Sequence, residues 1–464
     1  MPVPSPLDGG GVRRALVVAF HFAPESTSGT HRLLHFARGL ADGGIDVTVL
    51  TRSLASIDKA DESLNDVFPW PERIVRVATE KTLLGGAVPR IKRLVPLPGR
   101  GSVRGAIPDA VAVGSPSAGG PVPDSPLLPK RFARTRRLVD QIERFPDVHK
   151  GWFRPALRTG RELFRRQPFD LVVASGPPWT ALRVGAILAR ENGVPLISDF
   201  RDPWTKLSGR EGFSRGAGFN WLSERLESRV IGITALTLTN SPGVAQAIAA
   251  GHPKLEPSRI ATILNGSDAR RRSREVAFPA SGDLVARHFG SLYAGRRIAP
   301  LVRAAASRGE SGGDWLVEQY GDDPKEVDLM DLSPSHRALL SICPTLPFTA
   351  AVERMHEPCV LVVIQPGWFA RQVPTKLYDY LCTGNPILVL APEDSSTWSV
   401  ASQFERCHRA DSDDSAGIAG VLEKLEEQRN AGELFQLSAI DDTENLSKAA
   451  MSREFVDYVR RAGR

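Results

Sequence analysis

Short apolar runs alternate with segments of helical spacing along the first half of the chain. The run 15–20 is apolar throughout and predicts a buried strand, whereas 31–40 places its leucines and alanine on one helical face. A second apolar stretch at 46–50 completes a strand, helix, strand unit. This order is typical of an α/β protein and predicts a parallel sheet flanked by helices.

The same alternation continues to the acidic region near the C-terminus. Further strands are predicted at 171–174, 195–198, 236–239, 260–264, 288–293, 315–320, 360–364 and 386–391. The helices predicted with them are 132–145, 156–166, 179–192, 219–231, 242–250, 299–308, 348–356, 375–382 and 415–430. Two successive series of this kind predict two Rossmann-like, doubly wound domains.

Turn signals and composition suggest where these units divide. Asn265–Gly266 is a turn signal after the last strand of the first series, so we expect an N-terminal domain at 1–264. A C-terminal domain is expected at 265–440, followed by a helix at 441–464 that packs back on the first domain. The segment 97–129 is rich in Gly, Pro, Ala and Ser and predicts a flexible insertion.

Length and composition are those of a globular protein with two domains. The chain has 464 residues, of which 42% are hydrophobic and 24% charged. Its longest apolar runs have about six residues, far short of the roughly 20 that span a bilayer. Residues 1–11 lack the pattern of a signal peptide, so we expect a cytoplasmic protein. The four cysteines lie apart from each other and predict reduced thiols rather than a metal site.

The net charge of +6 is unevenly distributed. The segment 130–166 is crowded with arginine and lysine, whereas 411–444 is acidic. A basic surface favours an anionic partner, here the inner face of a plasma membrane or a phosphate-bearing acceptor. The alternative is a solvated helix face. We do not expect nucleic acid as a partner, because no recognised binding motif accompanies the arginines.

Three loops that follow predicted strands carry the candidate chemistry on the N-terminal side. The first, 21–32, has small residues before a helix, and its Gly29 would let backbone N–H groups approach an anion, although a plain connection is the alternative. The others are Ser175–Gly176–Pro177–Pro178 and Asp199–Phe200–Arg201–Asp202–Pro203–Trp204. These two segments resemble the acceptor-side half of bacterial family 4 glycosyltransferases.

Asp199, Arg201 and Asp202 are the candidate catalytic residues. Charged groups at a strand end could orient an acceptor hydroxyl or stabilise charge that develops during glycosyl transfer. An internal ion pair that only fixes the loop is the alternative. Many relatives carry a histidine where Arg201 stands here.

The second half of the chain supports the same resemblance. The stretch 374–388, PTKLYDYLCTGNPIL, closely resembles a donor-domain motif of the family, and 289–297 resembles the first strand and loop of that domain. The resemblance implies that the diphosphate of a nucleotide sugar lies near Gly290, Lys376 and Arg297, with Arg296 as the second choice. It also implies that Asp379 holds the ribose and that Tyr378 belongs to the donor site. The alternatives are a surface arginine at Arg297 and a solvated helix residue at Asp379. Departures from the family pattern are Arg371 and Ser291.

The resemblance implies the GT-B architecture, in which two domains face each other across a cleft, and retaining transfer from a nucleotide sugar to a polysaccharide or lipid-linked acceptor. No cofactor or metal is expected, because arginine, lysine and helix N-termini can assist the leaving diphosphate. Asp411–Ser412–Asp413 spells a D-x-D sequence but lies before a helix and is interpreted as an N-cap. A nucleotide-sugar epimerase and a non-catalytic scaffold of the same fold are the alternatives.

Overall fold

We describe a computed structural model of the protein. The structure describes residues 11–57, 60–80, 141–142, 145–205, 217–273, 275–279, 281–292, 295–310, 315–321, 329–437 and 443–462. The insertion predicted at 97–129 and most of the helix predicted at 132–145 lie outside these residues.

The N-terminal half forms a parallel sheet of seven strands in the order β3-β2-β1-β4-β5-β6-β7. The strands are β1 (Arg14–Val18), β2 (Asp46–Arg52), β3 (Ile74–Val77), β4 (Leu171–Gly176), β5 (Leu196–Phe200), β6 (Leu236–Thr239) and β7 (Ile260–Thr262). The helices between them are α1 (Ser28–Asp42), α2 (Phe153–Arg166), α3 (Trp179–Asn192), α4 (Ala217–Ile233) and α5 (Pro242–Gly251). Apolar side chains cover both faces of the sheet, as expected for parallel strands with near-continuous hydrophobic runs.

The C-terminal half forms a second parallel sheet, with the order β11-β10-β9-β12-β13-β14. Its strands are β9 (Leu284–Phe289), β10 (Trp315–Tyr320), β11 (Leu340–Cys343), β12 (Val360–Ile364), β13 (Ile387–Leu390) and β14 (Cys407–Ala410). Its helices are α6 (Ala299–Glu310), α7 (Pro334–Ala338), α8 (Phe348–Met355), α9 (Thr375–Leu381), α10 (Ser396–Ala401) and α11 (Ser415–Asn430). A short antiparallel ribbon pairs β8 (Val276–Ala277) with β15 (Phe435–Gln436). The fold class predicted from the sequence, two doubly wound α/β units, is confirmed.

The carboxyl ends of the two sheets face each other. The Ser241 hydroxyl, just after β6, donates to the backbone carbonyl of Arg371 at 2.6 Å. The side-chain amide of Gln372 donates to Asp202, which follows β5. Because these contacts join strand ends of one sheet to the loop after β12, the cleft between the two halves is lined by the loops in which parallel sheets place ligands.

The C-terminal helix α12 (Lys448–Ala462) packs on the first half of the protein. The Phe455 ring stacks on Phe36 of α1 with 4.0 Å between centroids and 15° between planes. Ser452 donates to the carbonyl of His35 at 2.8 Å. Gly39 makes this approach feasible, since a Cβ there would lie 2.0 Å from the Ser452 hydroxyl oxygen.

One strand differs from its predicted position. The sequence predicts 288–293, whereas β9 spans Leu284–Phe289. The polar side chains of Arg287 and His288 obscured the pattern, but both lie inside the sheet and are satisfied there, Arg287 by Glu318 and His288 by Gln319. The strand ends before Gly290, whose φ of +118° leaves the extended conformation.

Candidate functional site

Each sheet has a switch point, a central strand from which the strand order continues toward opposite edges of the sheet. In the first sheet β1 lies between β2 and β4, and in the second β9 lies between β10 and β12. Ligands of doubly wound sheets bind outside the carboxyl ends of the strands at such points. The loops after β1, β4, β9 and β12 therefore define the candidate site.

A chain of hydrogen bonds positions Lys376 beside the end of β9. The Gln319 amide donates to the Gly290 carbonyl at 2.8 Å and its oxygen faces His288 Nδ1 at 2.6 Å. The oxygen of Gln319 can only accept, so Nδ1 carries the proton and Nε2 is left as an acceptor. Lys376 Nζ lies 3.0 Å from that Nε2 and donates to it. The ammonium is thus fixed over Gly290, where a Cβ would lie 2.9 Å from Nζ.

Burial makes this ammonium unusual. Burial, and then the neighbouring Arg296 guanidinium, lower the pKa of Lys376 to about 7. Burial and the charge of Lys376 hold the pKa of His288 well below 6.5, so the imidazole is neutral. Two neighbouring positive groups of this kind favour an anion, which would restore the charge on Lys376.

Arg296 and Arg297 have different surroundings, and the sequence ranked them in the other order. Arg296 donates to the Ile364 carbonyl and to the Gln365 side chain, and its guanidinium lies 4.3 Å from the centroid of the Phe369 ring. It therefore stands at the end of β12, next to Lys376. Arg297 instead lies 3.8 Å from Asp413 in a half-exposed ion pair. The geometry favours Arg296 as the second positive group of the site.

Tyr378 and Asp379 lie deeper than the sequence suggests. The Tyr378 side chain is fully buried in the core below β12 and β13. The Asp379 carboxylate accepts from the Ser267 hydroxyl, and burial raises its pKa to about 6 although Ser267 and Lys448 oppose the shift. In this structure Tyr378 supports the helix, and Asp379 joins α9 to the turn that follows β7.

Asp199 is part of a buried ion pair. Its carboxylate accepts from Arg32 Nε at 2.9 Å and from the Ser175 hydroxyl at 2.7 Å. Arg32 also donates to the carbonyl of Ile263. Because Asp199 has no exposed surface, it is placed to hold α1, β4 and β5 together rather than to contact a substrate. The partner is Arg32 of α1, not the nearby Arg201.

Arg201 and Asp202 lie on the cleft side of the same loop. The Arg201 guanidinium donates to the Pro177 carbonyl and lies against Gly29, where a Cβ would be 1.9 Å from Nη1. Gly29 therefore provides space for Arg201 at the start of α1. Asp202 bonds to Gln372 across the cleft. The structure brings Gly29, Arg201 and Asp202 to one edge of the cleft and Gly290, Arg296 and Lys376 to the opposite sheet.

A group of polar side chains follows β1, in and around the loop 21–32, for which the sequence analysis named only Gly29. His21 Nδ1 lies 2.7 Å from Glu25 Oε1, and Arg52 holds the same carboxylate through bonds of 2.7 and 3.1 Å. The His149 ring lies 5.7 Å from the His21 ring. These residues come from three separate segments, so no sequence motif joins them; the only signal was the place of His21 directly after a predicted strand.

The acidic run before α11 is used in local contacts. Asp414 accepts from the Gly417 amide at 3.0 Å and is the N-cap of the helix. Asp411 pairs with Arg409, and Asp413 lies near Arg297. The predicted cap is thus provided by Asp414, one residue after the D-x-D sequence.

The comparisons with known proteins agree with this arrangement. Two Rossmann-like α/β domains whose strand ends face each other across a cleft are the architecture of the GT-B class of proteins. The sequence family described as glycosyl transferase 4-like domain matches residues 29–266, about half of the chain. The chain belongs to this family and is a glycosyltransferase.

Solved structures share the fold at low sequence identity. HepE from Anabaena, in complex with UDP, aligns with a TM-score of 0.56 and 12% identity, covering 96% of this chain and 99% of its own. A glycosyltransferase from Rickettsia africae aligns at 0.52 and 10%, covering 98% and 99%. The N-terminal domain of Candida albicans trehalose-6-phosphate phosphatase aligns at 0.60 and 10%, covering 99% and 100%. No curated protein matches the sequence significantly.

Among the described helices, none combines the length and the apolar character that crossing a membrane requires.

Proposed function

We propose that the protein transfers a sugar from a nucleotide-sugar donor to a glycan or lipid-linked acceptor. The observation that carries this proposal is the Lys376 ammonium, oriented by His288 over Gly290 and accompanied by Arg296. Two adjacent cations at a sheet switch point match the charge of a diphosphate. The structural neighbour HepE was solved in complex with UDP, which supports a nucleotide diphosphate as the group bound there.

The same cations explain how departure of the diphosphate would be assisted. Negative charge on the leaving oxygen increases as the glycosidic bond breaks, so Lys376 and Arg296 stabilise the transition state more than the bound donor. The mechanism needs no metal ion, since these side chains supply the positive charge. The retention of anomeric configuration that the resemblance implies rests on the motifs and on none of these contacts.

The arginine-rich helix α2 is the proposed contact with an anionic membrane surface on the inner face of the plasma membrane. Arg158, Arg165 and Arg166 are well exposed along it, and each pairs with a nearby glutamate, Arg158 with Glu80 and the others with Glu162. Lipid phosphates would replace these carboxylates as partners. Co-sedimentation with vesicles containing 30% phosphatidylglycerol, compared with pure phosphatidylcholine, tests the contact. Equal binding to both would contradict it.

Nucleoside diphosphate release from UDP-, GDP-, ADP- and dTDP-sugars, measured with octyl glycosides as acceptors, tests the transfer reaction. We expect release that depends on the acceptor for at least one donor, and a fall of at least 100-fold in kcat for Lys376→Ala. Lys424→Ala is the matched control, since Lys424 is exposed on α11. Release from no donor, or equal turnover by Lys376→Ala, would contradict the proposal.

A further inference from the structure

Arg201 carries a buried charge for which the described part of the chain provides no direct carboxylate partner. The side chain is 9% exposed, and burial lowers its pKa although Asp199 and Asp202 oppose the shift. A guanidinium keeps its proton in proteins, so the charge remains, and burying it is costly unless it is paired. Among the described residues, its side chain donates only to the Pro177 carbonyl, and its buried Nε has no partner.

The carboxylates nearest to this charge are bonded elsewhere. Asp199, Asp202 and Glu25 are the acidic groups that act on Arg201. Asp199 and Glu25 each form a buried ion pair with a different arginine. Asp202 accepts a hydrogen bond from the side-chain amide of Gln372. The fold therefore surrounds Arg201 with acidic residues without giving its guanidinium a bonded counter-ion.

The guanidinium lies at the N-terminus of α1, which adds to the positive field. A Cβ at Gly29, in the first turn of this helix, would lie 1.9 Å from Arg201 Nη1. The first turn contains no acidic residue, and the side chain of Thr27 makes no capping hydrogen bond. Helix N-termini attract anions through their unpaired amides and their dipole. The guanidinium and the helix thus favour an anion at the same place.

The position of Arg201 in the cleft indicates which substrate group can reach it. Arg201 follows β5, and its backbone amide donates to the Gly176 carbonyl at the end of β4 at 2.9 Å. The next residue, Asp202, bonds across the cleft to Gln372, which precedes Lys376 by four residues. Arg201 and Lys376 therefore stand on opposite walls beside the same contact. A sugar joined to a diphosphate at Lys376 would lie between these walls.

We propose that Arg201 and the N-terminus of α1 bind a carboxylate on the sugar that is transferred, so that the donor is a nucleotide-linked hexuronic acid. This inference rests on the proposed transfer reaction and names the class of its donor. The planar guanidinium matches a carboxylate in shape, and one arginine matches its single negative charge. Because many relatives carry a histidine where Arg201 stands, the assignment concerns this chain and not its family.

A neutral hexose would bind less well for a physical reason. Its hydroxymethyl group cannot neutralise the guanidinium, so Arg201 would stay buried without a counter-ion in the donor complex. Sites built to bind a polar group discriminate strongly against an analogue that lacks it, because their own buried groups are left unpaired. We therefore expect the Kd of a hexuronate donor to be at least about tenfold lower than that of the matching hexose donor.

Isothermal titration calorimetry with matched donors tests the assignment. The pairs are UDP-glucose with UDP-glucuronate, UDP-galactose with UDP-galacturonate, and GDP-mannose with GDP-mannuronate. Arg201→Gln should reduce the preference for the hexuronate to within about threefold, while the Kd for the nucleoside diphosphate itself stays within about threefold. Arg201→Lys keeps the charge without the planar fork and should retain part of the preference. Arg38→Gln is the control, since Arg38 is half-exposed on α1 and pairs with Asp42.

The donor preference of the unaltered protein tests the inference even if the Arg201 variants do not fold. Nucleoside diphosphate release from the same pairs, with an octyl glycoside as acceptor, should show the same preference. Equal binding and use of the two donors of each pair, or a preference that Arg201→Gln retains, would overturn the assignment. Equal use of both donors with faster release to a phosphorylated octyl glycoside would place the anion on the acceptor and would also overturn it. Absence of release from every nucleotide sugar would instead refute the proposed function.

Discussion

The binding of UDP should depend on pH through Lys376. Its pKa is about 7 in the free protein against an ordinary value of 10.5. About half of the side chains are therefore charged at pH 7 and about 1% at pH 9. A bound diphosphate favours the ammonium, so binding at alkaline pH must be accompanied by proton uptake.

The size of the effect follows from the two pKa values. If the diphosphate restores the pKa to 10.5, the affinity falls by about 50-fold between pH 7 and pH 9, or about 2.3 kcal/mol. UDP itself is fully ionised over most of this range, so its own titration contributes little. The sign is unambiguous, because only the protonated form of Lys376 attracts the ligand.

Isothermal titration calorimetry with UDP measures both quantities. Affinity is taken from pH 7 to pH 9, and proton uptake from the change in observed enthalpy between buffers of different ionisation enthalpy. We expect uptake of close to one proton at pH 8 to 9. Lys376→Met should bind UDP weakly and with little pH dependence, whereas Lys424→Met should behave as the unaltered protein. A flat affinity profile for the unaltered protein, or the same profile for Lys376→Met, would refute the reasoning.

Three substitutions test the supporting structure. Arg32→Met leaves the Asp199 carboxylate buried without its cation, so the free energy of unfolding in urea should fall by about 3–5 kcal/mol. A loss below about 1 kcal/mol would show that the ion pair does not stabilise the fold. Gly29→Ala inserts a methyl group where the Arg201 guanidinium lies and should lower the free energy of unfolding by about 1–3 kcal/mol. The loss should be much smaller when Arg201 is also changed to Ala. Additive effects in that double-mutant cycle would argue against the contact. Gly290→Ala places a side chain at a φ of +118° and displaces Lys376, so it should weaken UDP binding by about tenfold in a fluorescence titration. Unchanged binding would show that Gly290 is not part of the donor site.

The sequence allowed some residues of the candidate site to be predicted but not others. The stretch 374–388 pointed to Lys376 because a resemblance to a known motif depends only on the order of residues. The choice between Arg296 and Arg297 could not be made from the sequence, since adjacent residues differ in side-chain direction and only packing decides which one lies beside Lys376. Here the Phe369 ring and the Ile364 carbonyl hold Arg296 near Lys376.

The sequence by itself determined the alternation of buried strands and helices, and with it the parallel α/β class, because fully buried strands appear as short apolar runs whatever their neighbours are. Only the tertiary structure decided which charged groups meet. Asp199 pairs with Arg32, 167 residues away in the chain. His21 and Glu25 of one loop meet Arg52 at the end of β2 and His149 from a third segment. Such contacts depend on how strands are ordered in a sheet, and strand order is set by long-range packing that leaves no local pattern in the sequence.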